Sequence, residues 1–302
     1  MSYQILSILG QGSFGYVYHL KLPNSKEYAL KVTDITHVPA IIAITEPETM
    51  LQLQHPHIIQ LCYVNCDQIG QRRCLYMLME YCERGTLTKA IANGVSEDQA
   101  ITWFIQMADA LTYLHSKKVM HRDIKPDNIL LNSNNDIKVG DLGTARIQEF
   151  TAQGGATAVG TYCYMSPQIL QGQPYKDKTD VWSLGCVFHQ VLSKNPPFKF
   201  FFWMGKQTVN FQIPPMPSSY SQGLRNLILT VLDMEESTRP SAEKILGDLV
   251  RLQNRPYNRQ QYVRLPMEVV DHESLLNCLK NQIILRSLIQ IVSALAAHPG
   301  GY

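Results

Sequence analysis

The spacing of apolar residues changes once along this chain of 302 residues, and the change limits the folds open to it. Residues 3–31 form short runs rich in Tyr, Val, Ile and Leu, broken at glycines and at the Pro-Asn-Ser turn of residues 23–25; residues 73–82 form a similar run. Both patterns are typical of strands. Beyond residues 82–86 the spacing becomes helical. The sequence therefore predicts an α+β fold, with a strand-rich first third followed by a helix-rich remainder.

Two later segments are predicted helices. Residues 96–118 place apolar side chains on one face of a helix, with Ser96 as the expected N-cap. Residues 177–192 are mostly apolar all round, which indicates a buried helix. The apolar face of the first helix carries Ala100, Trp103, Phe104, Met107, Leu111 and Leu114.

Composition excludes several classes of protein. Apolar residues make up 45% of the chain and charged residues 17%, which is an ordinary globular balance. A net charge of +2 is too small to favour nucleic acid or an anionic membrane as a partner. Seven cysteines without a Cys-x-x-Cys pair indicate reduced thiols, and neither a signal peptide nor an apolar run of about 18 residues is visible. We therefore expect a cytoplasmic protein with no membrane partner.

A glycine-rich segment lies between the first two predicted strands. Residues 10–17 read Gly-Gln-Gly-Ser-Phe-Gly-Tyr-Val, and glycines let a backbone approach a polyphosphate closely. By itself this pattern fits an ordinary hairpin equally well. Two details favour a phosphate loop. A strand follows it rather than the helix of a dinucleotide fold, and the next strand carries Lys31, a compact cation for phosphate oxygens.

The segment of residues 121–143, HRDIKPDNILLNSNNDIKVGDLG, contains two aspartates and an asparagine that can serve one reaction centre. In this order, and together with the glycine loop and Lys31, it resembles the loop set of the protein kinase superfamily. The resemblance extends from about residue 3 to residue 249. It implies a bilobal fold with a small antiparallel-sheet N-lobe that carries helix C, about residues 1–82. A larger, mostly helical C-lobe then covers about residues 83–252.

The resemblance also implies a reaction, the transfer of the γ-phosphate of ATP to Ser or Thr hydroxyls of a protein substrate. Asn128 and Asp141 are the implied ligands of Mg²⁺, a hard cation that prefers oxygen donors. Asp123 is the implied catalytic base that accepts or orients the hydroxyl proton. Lys125 is implied to steady the migrating phosphoryl group, and a lysine at this position marks Ser/Thr specificity.

For ATP, the resemblance implies contacts from the glycine loop, from the strand lysine and from the hinge between the lobes. Val17, Ala29 and Leu130 would enclose the adenine ring, although plain core packing describes these residues equally well. The implied ATP-binding set is Leu9, Gly10, Gln11, Gly12, Ser13, Phe14, Gly15, Tyr16, Val17, Ala29, Lys31, the gatekeeper Met79, and Glu80, Cys82 and Leu130.

The segments GDLGTAR, VGTYCYMSP and EYCERGTL are similar to those of the NIMA-related Ser/Thr kinases. By this resemblance Thr157 is an activating phosphosite whose phosphate would pair with Arg122, although an unmodified loop threonine fits the same residues. Asp180 would brace the catalytic loop. An association with the cytoskeleton is implied by family analogy only.

Helix C departs from the family pattern. Counting back from residues 55–56 puts the family's glutamate at Glu46, immediately before Pro47. Thr45 and Glu48 fit a capping box, so helix C is predicted to begin or kink near Thr45, with the proline in its first turn. Either Glu46 or Glu48 then pairs with the strand lysine, or Glu48 is only a cap.

A second departure lies late in the predicted C-lobe. Gln168 stands where the family has a glutamate that pairs with Arg239. A neutral glutamine cannot form that ion pair, although it can accept a hydrogen bond. This change and Pro47 keep a second interpretation open, a weakly active or pseudokinase scaffold that binds nucleotide and partner proteins.

The final segment, residues 253–302, lies beyond the kinase pattern. Its arginine-rich start is read first as a solvated linker and second as a basic contact strip. Residues 267–297 predict an amphipathic helix with a wide apolar face. That helix either docks on the protein's own C-lobe or mediates self-association or partner binding through residues 267–302.

Overall fold

A computed structural model describes residues 3–12, 15–69, 71–142, 159–203, 206–253 and 257–261. The described chain divides into two compact units. We call the unit formed by residues 3–43 and 61–81 the sheet unit. The unit formed by residues 44–60 and by the described residues from 82 onward is the helical unit.

The sheet unit is a five-stranded antiparallel sheet with the order β1-β2-β3-β5-β4. A short helix, α1 (Ala40–Ala43), follows its third strand. The strands are β1 (Gln4–Gly12), β2 (Gly15–Lys21), β3 (Glu27–Asp34), β4 (Leu61–Ile69) and β5 (Arg72–Glu80).

Alternating side chains give this sheet two different faces. One face forms an apolar core, because most even-numbered residues of β2, β3 and β5 lie on it and are buried. Asp34 and Arg72, at the ends of β3 and β5, are partly exposed. The odd-numbered residues of the same strands lie on the opposite face, where Val17 pairs with Lys31 and Ala29 pairs with Met79. The core face carries Tyr16, Tyr18, Leu20, Tyr28, Leu30, Val32, Tyr76 and Leu78.

The helical unit contains seven α-helices among its described residues. They are α2 (Thr45–Leu51), α3 (Leu87–Ile91), α4 (Glu97–Ser116), α5 (Pro167–Leu170), α6 (Asp177–Ser193), α7 (Gln222–Val231) and α8 (Ala242–Gln253). A small antiparallel sheet has the order β6-β7-β8, and a hairpin pairs β9 with β10. These strands are β6 (Gly85–Thr86), β7 (Ile129–Leu131), β8 (Ile137–Val139), β9 (Lys199–Trp203) and β10 (Lys206–Asn210).

Helices α4 and α6 form the centre of the helical unit, and both were predicted from their spacing. Ser96 caps α4, because its hydroxyl accepts a hydrogen bond from the amide of Gln99 at 3.3 Å. The predicted apolar face of α4 is buried throughout. Phe104 of α4 stacks on Phe188 of α6 with ring centroids 4.0 Å apart. The α+β class predicted from the sequence is confirmed.

The start of α2 corrects one prediction. The helix begins at Thr45 as expected, but Thr45 is its first helical residue, and the N-cap is Ile44 without a side-chain cap bond. Ile44 has φ −85° and ψ −10°, because the chain enters from α1 in a helical conformation rather than the extended one of a capping residue. Pro47 lies in the first turn, where its missing N–H disrupts nothing.

Several predictions concern residues outside the described ranges. They are the phosphosite Thr157, the loop residues Ser13 and Phe14, and the amphipathic helix of residues 267–297. No helix among the described residues is long and apolar enough to cross a membrane.

Candidate active site

Asp123 is the centre of a hydrogen-bond network in the loop that follows α4. The Lys125 ammonium lies 2.6 Å from Asp123 Oδ2, and the Asn128 amide nitrogen donates to the same oxygen at 2.8 Å. The same nitrogen of Asn128 also donates to the backbone carbonyl of Asp123 at 2.8 Å. Both side-chain donors therefore reach Oδ2, and Oδ1 accepts no hydrogen bond from the residues that the structure describes. This leaves one carboxylate oxygen for a substrate hydroxyl.

The loop around Asp123 is held by the buried carboxylate of Asp180. Its two oxygens accept the backbone amides of His121 and Arg122, each at 2.9 Å. Tyr175 donates to the same carboxylate at 2.6 Å. Arg122 has φ +70°, an uncommon conformation for a residue with a side chain. Two backbone N–H groups donate charge-assisted hydrogen bonds to this one carboxylate, and these bonds help to stabilise the turn.

Asp180 is suited to this role because its charge is stabilised where it is buried. Burial acts to raise the pKa of Asp180, but the hydrogen bond and charge of His115, together with His121 and Tyr175, lower it below its ordinary value. The Nε2 atom of His115 lies 3.0 Å from Asp180. The carboxylate therefore remains a charged acceptor for the loop amides.

The two predicted metal ligands are brought side by side by a short ladder. Asn128 immediately precedes β7 and Asp141 follows β8 by two residues, while Ile129 of β7 pairs with Val139 of β8. The amide of Gly140 donates to the Asn128 carbonyl at 2.9 Å. Because the Asn128 amide nitrogen bonds Asp123, its carbonyl oxygen is directed away from that residue. An amide oxygen and a carboxylate form a donor set that fits Mg²⁺.

The glycine segment forms the end of the β1–β2 hairpin in the sheet unit. Gly12 pairs with Gly15, and Gly10 pairs with Val17. A Cβ at Gly15 would lie 1.9 Å from the Val32 carbonyl oxygen, so close packing requires glycine there. A Cβ at Gly10 would meet nothing within 4 Å, so packing does not explain that glycine. An open backbone at Gly10 fits close approach by a phosphate.

Four of the other predicted nucleotide contacts lie on the face of the sheet unit opposite its core. Val17, Ala29, Lys31 and Met79 share that face. Tyr16 differs, because its side chain is 8% exposed within the core and leaves only its backbone for a ligand contact.

The remaining predicted contacts divide between solvent, the end of β5 and the helical unit. Leu9 is 43% exposed on β1, and the neighbouring Gln11 is also exposed. Glu80 ends β5 and is buried, as is Cys82 two residues later. Leu130 belongs to β7 of the helical unit.

Comparisons with known proteins agree with this geometry. Residues 3–250 match the family model described as "Protein kinase domain". The chain belongs to the protein kinase family. It is 33% identical over 290 residues to "Serine/threonine-protein kinase Nek4" of Mus musculus, which covers 93% of this chain and 35% of the relative. It is 30% identical over 263 residues to "Serine/threonine-protein kinase Nek2" of Homo sapiens, covering 81% of this chain and 58% of the relative.

These matches confirm the predicted resemblance to NIMA-related kinases. The predicted enzyme class, a protein serine/threonine kinase, agrees with the names of the relatives. The chain spans about a third to three fifths of the length of these two relatives.

The predicted ion pair of this kinase family joins residues of different units. Lys31 lies on β3 of the sheet unit, and Glu46 and Glu48 lie in the first turn of α2 in the helical unit. Which glutamate pairs with Lys31 stays a prediction.

The departure at Gln168 is accommodated by hydrogen bonds. Arg239 is 1% exposed, and its Nη2 donates to Gln168 Oε1 at 3.1 Å, so the glutamine accepts a hydrogen bond as the sequence allowed. The Gln168 amide nitrogen donates to the Met234 carbonyl at 2.9 Å. Arg239 also donates to the carbonyls of Lys178 and Asp233 and lies 5.0 Å above the Trp182 ring. A neutral partner therefore still satisfies the buried guanidinium.

Arg122 differs from the other members of the catalytic loop in its contacts. Its Nε and Nη1 atoms are buried but bond no atom of the described residues. Its guanidinium lies 5.6 Å from the centre of the Tyr175 ring, a distance typical of a cation–π contact. Among the described residues, these two nitrogens therefore have no hydrogen-bond acceptor.

Sequence reasoning identified Asp180 but missed two residues that hold it. Tyr175 and His115 bond the Asp180 carboxylate from 5 and 65 residues away along the chain. Tyr175 lies in a loop without periodicity, and His115 lies in the last turn of α4. Neither the apolar spacing nor the motif itself signals these two partners.

Proposed function

We propose that this protein is an ATP- and Mg²⁺-dependent Ser/Thr kinase that transfers the γ-phosphate of ATP to hydroxyls of a protein substrate. The observation that carries the proposal is the network in which Lys125 and Asn128 both donate to Oδ2 of Asp123. Such a network orients a carboxylate toward an incoming hydroxyl while a cation remains beside it for the transferred group. The names of the relatives support the same activity.

In this proposal each site residue of the helical unit has a separate role. Bound Mg²⁺ supplies the charge that neutralises the phosphates. Asp141 and the carbonyl oxygen of Asn128 hold it. Asp123 orients the hydroxyl and receives its proton at Oδ1, and Lys125 steadies the phosphoryl oxygens. Asp180 fixes the loop amides so that this geometry exists before the substrate binds.

The sheet unit is proposed to hold the nucleotide. Backbone groups of residues 9–17 cover the phosphates, and Lys31 bonds their oxygens, helped by Glu46 or Glu48. Val17, Ala29 and Met79 offer an apolar surface to the adenine from one sheet face, and Leu130 of the helical unit contributes a further apolar contact. The backbone groups of Glu80 and Cys82 supply the polar contacts that orient it.

Arg122 is proposed to read the phosphorylation state of Thr157. Its two buried nitrogens without acceptors among the described residues are suited to phosphate oxygens. A phosphate on Thr157 would then pair with Arg122 beside the catalytic loop.

The scaffold alternative predicts that the catalytic groups are lost or displaced. Instead Asp123, Lys125 and Asn128 are bonded to one another, and Gln168 replaces the usual glutamate without leaving Arg239 unbonded. We therefore retain the active kinase. None of the six described cysteines forms a disulfide with another described residue, which supports our proposal of the cytoplasm as the compartment. Self-association through residues 267–302 stays a prediction that light scattering with and without them would test.

An autophosphorylation assay with radiolabelled ATP tests the activity. We expect Asp123→Asn to reduce phosphate incorporation by at least about 100-fold, because the substituted amide cannot receive the hydroxyl proton. Asp177→Asn, at the exposed first residue of α6, is the matched control and should leave incorporation unchanged. Equal incorporation by wild type and Asp123→Asn would contradict the proposed function.

A further inference from the structure

Asp109 is a buried carboxylate in the middle of α4 that bonds residues far along the chain. Its side chain is 0% exposed. The Tyr257 hydroxyl donates to its Oδ2 at 2.8 Å, and so does Arg259 Nε at 2.8 Å. Arg259 Nη2 bonds the other carboxylate oxygen, which makes the pair bidentate. Both partners lie after residue 250, where the match to the kinase family model ends.

These contacts compensate a carboxylate that is fully enclosed by protein. Burial acts to raise the pKa of Asp109, but His55, Arg259 and Tyr257 hold it well below its usual range. The hydrogen bond to Asp109 raises the pKa of Arg259 in turn. A planar guanidinium and a carboxylate in bidentate contact form one of the stronger pairings available to side chains. We name Tyr257 and Arg259, with their contacts to Asp109, the C-terminal clasp.

The clasp also contacts the turn between α2 and β4. The Tyr257 hydroxyl lies 3.1 Å from His57 Nε2. His57 is buried and neutral, because burial and the nearby His55 lower its pKa to about 3. A neutral His57 bonds the Ile137 carbonyl through Nδ1 at 3.2 Å and leaves Nε2 as an acceptor. The Tyr257 hydroxyl therefore has two acceptors within reach, Asp109 and His57, and its single proton can serve one of them at a time.

From His57 the contacts continue to the strand that leads to Asp141. The Val139 amide donates to the His57 carbonyl at 2.8 Å, and the Ile59 amide donates to the Val139 carbonyl at 2.8 Å. Val139 ends β8, two residues before Asp141. The turn of residues 57–59 thus fixes the end of β8 on one edge, while β7 and Asn128 fix it on the other.

We propose that Tyr257 and Arg259 are positioning residues for Asp141, acting through His57 and the end of β8. They lie in a segment outside the matched kinase model, yet they hold the turn that pairs with Val139. Release of the clasp leaves Asp109 buried without its arginine and leaves His57 without the Tyr257 hydroxyl. The edge of β8 that pairs with residues 57–59 is then held less firmly. The effect on Mg²⁺ binding rests on the proposed function, whereas the effect of the clasp on the end of β8 does not.

The test uses the full chain and three variants. The double variant Tyr257→Phe/Arg259→Gln removes the clasp, and Tyr257→Phe alone removes only the hydroxyl near His57, which keeps the test available if the double variant does not fold. Arg251→Gln is the matched control, since Arg251 forms an exposed pair with Asp248 on α8. Two quantities are measured: hydrogen exchange of residues 137–141, and the Mg²⁺ concentration that gives half-maximal binding of a fluorescent ATP analogue.

We expect the double variant to exchange residues 137–141 about tenfold faster while α7 is unchanged, and to need about threefold more Mg²⁺. Tyr257→Phe should change both quantities in the same direction by less. Unchanged exchange at β8 would overturn the proposal, and so would faster exchange with an unchanged Mg²⁺ requirement, which reduces the clasp to a structural brace. Wild type that binds no nucleotide at any Mg²⁺ concentration would refute the proposed function separately, and the positioning role with it.

Discussion

Arg239 and Arg122 both belong to the helical unit, and their guanidinium groups differ in how many hydrogen bonds they make. Arg239 is 1% exposed, and its nitrogens donate to two backbone carbonyls and to Gln168. Arg122 buries Nε and Nη1 without an acceptor among the described residues. Since a buried donor without an acceptor is unfavourable, Arg122, with two such nitrogens among the described residues, is the better candidate for a functional group.

The two arginines also differ in what surrounds them. Burial lowers the pKa of Arg239, while neighbouring acidic side chains act to raise it. Its hydrogen bonds join α6 to the loop before α8 at the carbonyls of Lys178 and Asp233. Arg122 follows His121, and its backbone amide is fixed by Asp180. Arg239 therefore belongs to the framework and Arg122 to the catalytic loop, so they should respond differently to mutation.

The largest expected effect is on stability, at Arg239. Arg239→Leu leaves two carbonyls and the Gln168 side chain without their donor and removes a cation from the Trp182 ring. We expect the free energy of unfolding, measured in urea, to fall by about 3–5 kcal/mol. Arg251→Leu on the exposed face of α8 is the control and should change it by less than about 0.5 kcal/mol. If Arg239→Leu lowered the free energy of unfolding as little as the control does, Arg239 would not be a structural residue of the helical unit.

Tyr175 lies beside Arg122 and also helps to hold the catalytic loop, since its ring is near the Arg122 guanidinium and its hydroxyl donates to Asp180. Tyr175→Phe keeps the ring and removes the bond, so we expect a loss of about 2 kcal/mol in the free energy of unfolding at pH 7. The folded pKa of Asp180 is lowered, so its contribution is complete above the unfolded pKa of about 3.9 and is lost as pH falls through the folded value.

The difference between wild type and Tyr175→Phe should therefore be constant from pH 7 to about pH 5 and shrink below about pH 4. Urea unfolding at several pH values measures it. Tyr164→Phe is the matched control, because the Tyr164 hydroxyl donates to the neutral Gln190 side chain. Its loss should not vary in that pH range. A Tyr175→Phe difference that persists unchanged at low pH would exclude the Asp180 carboxylate as its cause.

The sequence predicted those parts of this molecule that depend on local spacing or on a contiguous motif. Periodicity predicted the buried face of α4 and the buried α6, and the residue type predicted the Ser96 cap. The hydrogen-bond network of Asp123 and Asn128 lies inside one stretch of six residues of the motif. The predicted N-cap of α2 was wrong because a capping box requires Thr45 itself to leave the helical conformation, whereas Thr45 is already the first residue of the helix.

Contacts between distant residues had almost no sequence signal. The bonds of Asp109 to Tyr257 and Arg259 join positions 148 and 150 residues apart, and the His57–Val139 pairing is a backbone contact that any residues could make. Such contacts are set by how the helical unit folds rather than by local propensity. An aspartate on the apolar side of α4 is the one hint, because a buried carboxylate requires a partner.

A smaller effect is expected at Arg122, and on activity rather than stability. Arg122→Gln should change the free energy of unfolding by less than about 1 kcal/mol, because two of its nitrogens bond nothing among the described residues. With protein carrying phosphothreonine at position 157, we expect wild type to be activated about tenfold and Arg122→Gln to gain no activation. Kinase assays on phosphorylated and unphosphorylated protein measure both. Equal activation of the variant would show that Arg122 does not bind the phosphate.

The smallest effect is expected where the sequence departs from its family. Gln168→Glu restores an ion pair with Arg239, and a hydrogen bond between two charged groups is stronger than the present one at 3.1 Å, in which only the guanidinium is charged. The same change removes the donor to the Met234 carbonyl at 2.9 Å and turns a carboxylate toward that carbonyl. The gain and the loss are of similar size, so we expect urea unfolding to shift by less than about 1 kcal/mol. Stabilisation by several kcal/mol would mean that Gln168 leaves Arg239 poorly paired. The structural role of Arg239 would then require the glutamate that the family has at this position.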